Sequence, residues 1–111
     1  MVATKHEVLT IVHDFVTKLE TKGIRVQQVV LFGSYSGGLP HRWSDVDLVV
    51  ISPDFKRLKP LERIRLLAEV TYQSDHRLEP LAYTPGEYRR GGPTSFLGEV
   101  KRTGRVVYKA A

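Results

Sequence analysis

Two stretches decide the fold: Val26-Gln27-Gln28-Val29-Val30-Leu31-Phe32-Gly33-Ser34 and Asp45-Val46-Asp47-Leu48-Val49-Val50-Ile51-Ser52-Pro53. Each is rich in β-branched residues, which suit the pleated face of a sheet. The first reads as a buried strand, Val26 to Phe32, that runs straight into glycine. The second reads as a strand that opens on two acids and stops at Ser52-Pro53. Between them lie the small-residue segment Gly33 to Gly38 and a loop from Leu39 to Ser44 that contains Pro40.

Working outward toward the N-terminus, Thr4 and Glu7 form a capping box, and Val8, Val12, Phe15, Val16 and Leu19 recur at helical spacing. The spacing predicts a helix from about Lys5 to Lys22, closed by Gly23 in a left-handed cap. Toward the C-terminus, Pro60 suits the first position of a helix running to about Tyr72, with Leu61, Ile64, Leu67 and Ala68 as its expected buried face. A third strand, about Arg77 to Tyr83, carries Glu79 and Pro80. Proline cannot donate to a ladder, so this strand belongs at an edge or is bulged there. Thr84 with Glu87 opens a short helical turn, and Gly91-Gly92-Pro93 breaks it. A last helix, about Ser95 to Thr103, stops at Gly104, and Arg105 to Lys109 alternates as a final strand. The predicted order is α-β-(short α)-β-α-β-α-β. This is one α/β (α+β) domain over residues 1–111, a small mixed β-sheet of about four strands with helices packed on it.

Three features of this chain carry chemistry. Glycine at the exit of a buried strand lets a ligand approach the backbone, and a helical turn after it points free N–H groups at an anion; taken alone, Gly33-Ser34 reads first as a plain turn after a strand. Asp45 and Asp47 alternate onto one face, where a divalent cation with a preference for hard oxygen ligands would relieve their repulsion. Their other reading is a solvated strand start. Glu79 is an acid within an otherwise apolar strand, placed either on the solvent face or at a site. Asp75 lies in the preceding turn, where acids are ordinary.

Together, Leu31-Phe32-Gly33-Ser34 and Ser44-Asp45-Val46-Asp47-Leu48 resemble the Gly-Ser…Asp-x-Asp motif of the polymerase-β-type nucleotidyltransferase superfamily, and most closely its minimal nucleotidyltransferase (MNT) proteins. The order of elements matches over nearly the whole chain, so the resemblance implies the nucleotidyltransferase fold. It further implies that Gly33 and Ser34 hold a nucleoside triphosphate, that Asp45 and Asp47 bind two Mg²⁺ ions, and that Glu79 ligates one metal and takes the proton from the attacking hydroxyl. ATP is the donor that the resemblance implies. Family members often have an arginine shortly after Gly-Ser, where this chain has Tyr35-Ser36-Gly37-Gly38. Larger relatives append a helical domain for the acceptor, so the expected acceptor surface lies on another chain. By the same resemblance the partner is a HEPN-domain protein, with this chain as antitoxin and a partner hydroxyl as the AMP acceptor.

Composition bounds the alternatives. The 111 residues contain no cysteine, which removes disulfide scaffolds, zinc knuckles and thiol nucleophiles. No run approaches a membrane span, and Glu7, His13 and Asp14 interrupt any secretory signal, so a cytoplasmic location is expected. The net charge is +5, divided unevenly: residues 1–55 carry −1 and residues 56–111 carry +6. Arg89, Arg90, Lys101, Arg102, Arg105 and Lys109 gather around one acid, Glu99, as a surface for RNA, an acidic partner or solvent. His41, Arg42 and Trp43 precede the paired acids, with Trp43 placed either to stack on a base or to cover the core. His6, His13 and His76 lack metal-ligand spacing. Two non-enzymatic readings therefore stand beside transfer: an antitoxin that neutralises its partner by occlusion, and a basic RNA-binding protein.

Overall fold

Val29, Val30 and Leu31 lie opposite Val50, Val49 and Leu48 in antiparallel register, so the two deciding stretches form the centre of the sheet. The computed structural model describes residues 3–37, 40 and 44–111; the expectations for His41, Arg42 and Trp43 fall outside them. β1 is Gln28–Phe32 and β2 is Val46–Ile51. β3, Leu78–Tyr83, runs parallel to β2 after a crossover through α2, Pro60–Tyr72. β4, Arg105–Lys109, pairs antiparallel with β1 across a register shift between Val29 and Val30. The strand order is β3-β2-β1-β4, a mixed four-stranded sheet with helices on both faces. This is the expected fold class.

Alternation along the strands assigns the faces. Val29, Leu31, Val46, Leu48 and Val50 face α1, Lys5–Thr21, and α2, and form the larger core with Phe15, Leu19, Phe55, Leu67 and Val70. Val30, Val49 and Ile51 face the other way, against Leu97 and Val100 of α4, Phe96–Thr103. Between β3 and α4 lies the short α3, Pro85–Arg90. Gly98 lets α4 press on the preceding loop, because a Cβ there would land on the Gly92 carbonyl. Among the described residues no helix is long and apolar enough to cross a membrane.

The local signals hold. The Glu7 amide donates to Thr4 Oγ1 at 3.1 Å, and the Thr4 amide to Glu7 Oε1 at 3.4 Å. Gly23 has φ +86°. Thr84 and Glu87 make the second reciprocal cap, and Arg63 donates to Glu87 Oε1 at 2.7 Å, which ties α2 to α3. Beyond β2 the chain makes a 3-10 turn, Pro53–Arg57, whose Asp54 accepts from the Arg25 amide at 2.8 Å. The Arg25 guanidinium bonded to Asp54 also holds that carboxyl below the usual range.

β3 is an edge strand, as Pro80 requires. The Arg77 carbonyl accepts from the Val46 amide and the Tyr83 carbonyl from the Ser52 amide, so odd-numbered residues turn their backbone groups toward β2. Leu78, Pro80 and Ala82 therefore turn theirs outward, where a missing N–H costs nothing.

The buried face of α2 differs from expectation. Leu67 and Val70 are buried, whereas Leu61 is 57% and Ile64 64% exposed, and Ala68 is also exposed. α2 rides over the margin of the sheet, so one stripe meets α1 and β3 while the next overhangs the edge strand. The overhang leaves a groove of about 910 Å³ between α2 and β3, lined in part by Ile64, Ala68, Tyr72, Glu79 and Leu81. Leu67→Ala is therefore expected to cost about 2–5 kcal/mol in urea unfolding. Ile64→Ala should stay within about 0.5 kcal/mol of the parent.

Candidate active site

β1 delivers the chain to Gly33 opposite the start of β2. Phe32 pairs with Asp47, and the 3-10 turn Gly33–Tyr35 then folds back over that carboxylate. Gly33 has φ +75°, and a Cβ at this position would collide with the Asp47 carboxylate. Glycine is thus required twice, by backbone conformation and by contact. The Gly33 carbonyl accepts from the Ser36 amide at 3.1 Å and from Ser36 Oγ at 3.2 Å, closing the turn. The Ser34 and Tyr35 amides precede that bond, as the first N–H groups of any helical turn do. Tyr35 Oη accepts from the Ala3 amide at 3.2 Å and pins the turn to the start of α1.

The acids converge from two strands. Asp47 pairs in register with Glu79 on parallel β3, and Asp45 precedes Asp47 by two residues, on the same face. Asp45 and Glu79 are exposed and Asp47 is half-buried. Burial raises the Asp47 carboxyl above its ordinary range, and the charges of Asp45 and Glu79 raise it further. The structure thus brings together Gly33, Asp45, Asp47 and Glu79, with Ser34 in the turn beside them. Asp75 is set apart: Arg77 grips it with both guanidinium and backbone, at 2.8–3.0 Å, and holds its carboxyl below the usual range.

Among the described residues no three Asp, Glu, His or Cys side chains form a ready cage for a metal ion. The donor set still suits a hard cation. A magnesium ion is ordinarily held by one or two carboxylates together with substrate phosphates and water. A cation here would also lower the repulsion that raises Asp47.

A second cavity, of about 410 Å³, opens beside the turn and is walled by Phe32, Gly33, Phe96, Glu99 and Thr103 among others. The α4 residues were not marked as site residues by sequence, since their nearness to Gly33 arises only when β4 folds back onto β1. Phe96 is an aromatic that folding leaves 47% exposed. In the basic cluster, Lys101 donates to the carbonyls of Arg89 and Gly91, at 3.1 and 2.9 Å.

Two outcomes follow from this geometry. Gly33→Ala should destabilise the fold by about 1–3 kcal/mol in chemical denaturation, from a forced left-handed alanine. Asp47→Asn should raise the melting temperature at pH 7. A carboxyl whose folded pKa is raised penalises the folded state above that pKa, and the penalty fades as pH falls to the ordinary carboxylate range. The stabilisation should therefore shrink in melts at successively lower pH.

Comparison with known proteins identifies the family and the fold. Residues 12–93 match the nucleotidyltransferase domain family. A protein of Methanocaldococcus jannaschii, provisionally named a protein adenylyltransferase, is 27% identical over 100 residues, covering 88% of this chain and 96% of the relative. A crystal structure of a Sulfolobus solfataricus protein, provisionally named a nucleotidyltransferase, superposes with a TM-score of 0.66 at 16% identity, covering 92% of this chain and 80% of that one. A toxin–antitoxin structure with AMP-PNP superposes with a TM-score of 0.62 at 23% identity, covering 88% and 73%. The match spans most of the chain, including the Gly33 turn and all three acids; the chain belongs to the nucleotidyltransferase domain family and is a nucleotidyltransferase.

Proposed function

We propose that this chain transfers AMP from ATP to a hydroxyl of a partner protein, acting as the antitoxin of a toxin–antitoxin pair in the cytoplasm. The observation that carries the reading is the Gly33 turn folded onto Asp47, which pairs in register with Glu79. A triphosphate-sized anion bound at the turn would lie against the carboxylates. Supporting the choice of ATP are the relative named as a protein adenylyltransferase and the fold neighbour with AMP-PNP. Its toxin–antitoxin origin supports the biological setting. The partner that the MNT resemblance implies is a HEPN-domain protein.

In this reading Gly33 and Ser34 hold the triphosphate through backbone N–H groups and the serine hydroxyl. Asp45, Asp47 and Glu79 hold Mg²⁺, which when bound supplies charge neutralisation at the phosphates and favours ionisation of the acceptor hydroxyl. Glu79 receives the hydroxyl proton. The acceptor oxygen then forms a bond to the α-phosphorus as the bond to the β-phosphate bridging oxygen breaks, and pyrophosphate leaves. Positioning and electrostatics carry most of such a reaction.

The groove between α2 and β3 favours a protein acceptor over RNA. It lies along the same edge strand as Glu79 and is walled by Ile64, Ala68, Tyr72 and Leu81, an apolar lining that suits side chains better than phosphates. Incubating the chain with labelled ATP, Mg²⁺ and the product of the neighbouring gene should label that product. Conversion of both Asp45 and Asp47 to Asn should abolish the label; transfer that survives would refute the reading. If the double variant still suppresses the partner fully, the chain neutralises by occlusion and not by modification.

A further inference from the structure

Tyr35 is the one large side chain in the turn at the site. Every other residue of Gly33-Ser34-Tyr35-Ser36-Gly37 is a glycine or a serine, too small to hold the segment by packing. The Tyr35 ring packs against the larger core, and its hydroxyl accepts from the Ala3 amide, thirty-two positions earlier, at 3.2 Å. Ala3 is itself fixed. It stands immediately before the Thr4 cap and is buried in the same core as Val8, and these are the two positions of a hydrophobic staple. The direction of its N–H is therefore set by the capped start of α1. A third element meets the same corner. Arg77, whose guanidinium is held above its ordinary range chiefly by its bond to Asp75, also feels the charges of Tyr35 and Glu7. The Arg77 carbonyl accepts from the Val46 amide at 2.8 Å, where β3 comes into register with β2. The tyrosine hydroxyl thus ties the turn to a junction of α1 and β3 that lies outside the acids and the turn.

We propose that Tyr35 is a positioning residue: its bond to Ala3 fixes the Gly33 and Ser34 groups in the orientation that a triphosphate needs, so the capped start of α1 sets nucleotide affinity from outside the site. Preorganised donors need no rearrangement on binding. A turn released from Ala3 must be ordered by the ligand itself, which weakens affinity and leaves the chemical step as it was. The inference rests on the transfer reading above, and adds to it a residue whose side chain touches neither phosphate nor metal.

Titration calorimetry with AMP-PNP and Mg²⁺, on the full chain, tests it. Tyr35→Phe keeps the ring and deletes the acceptor, whereas Ala3→Pro deletes the donor. Each should raise Kd about three- to ten-fold, the worth of one neutral hydrogen bond. The double variant should bind no more weakly than the weaker single one, because both changes remove the same bond. Ala3→Gly keeps the amide and should retain parental affinity, although it loses a buried methyl. In the labelling reaction above, saturating ATP should return Tyr35→Phe to the parental rate, so that KM rises and kcat does not. An unchanged Kd in Tyr35→Phe, additive losses in the double variant, or an Ala3→Gly as weak as Ala3→Pro would overturn the positioning role while leaving transfer intact. A parent protein that binds no AMP-PNP would overturn the donor reading, and the positioning role with it.

Discussion

The contact between the Gly33 turn and the Asp47 carboxylate is the constraint on which the rest depends. It requires a left-handed residue without a side chain at the end of β1, and it requires β2 to begin opposite that residue. Antiparallel pairing of Phe32 with Asp47 meets the second demand. The parallel crossover through α2 then brings Glu79 into register beside Asp47. Burial raises the Asp47 carboxyl, and the charges of Asp45 and Glu79 at the same end of the sheet raise it further. Val29, Val30 and Leu31 against Val50, Val49 and Leu48 hold the strands together below it.

The two faces of the sheet divide the labour. On one, α1 and α2 cover a continuous apolar layer centred on Phe15, Leu19 and Leu48. On the other, α4 covers only a smaller cluster around Val49 and Leu97, and the acids and the Gly33 cavity lie beyond it on the same side. Stability is concentrated where no chemistry is proposed. The thinner face can carry exposed groups such as Phe96 and Glu99 because the core does not depend on them.

Much of this was legible because the signals are local. The Thr4 and Thr84 caps, Gly23, Pro60 and the outward-facing Pro80 each act through their own backbone, and each lies where its chemistry puts it. Strand parity grouped Asp45 with Asp47. It could not by itself choose Glu79 over Asp75, and the register with Asp47 and the grip of Arg77 make that distinction. The failures are tertiary. Periodicity shows that Leu61, Ile64 and Ala68 form an apolar stripe on α2, but it carries no information about whether anything lies against the stripe. Likewise no local pattern relates Phe96 to Gly33, more than sixty positions earlier.

Pro80 has a consequence for how the sheet meets other chains. The margin of β3 turns the backbone of Leu78, Pro80 and Ala82 outward, and its middle position has no hydrogen to give. An additional strand laid along this margin would leave one of its carbonyls without a donor. The sheet is closed to growth at the side nearest the acids, although that side is geometrically open. A chain resting there meets a ladder interrupted at Pro80 and can leave without unzipping a continuous run of backbone bonds, as repeated turnover demands of a catalyst.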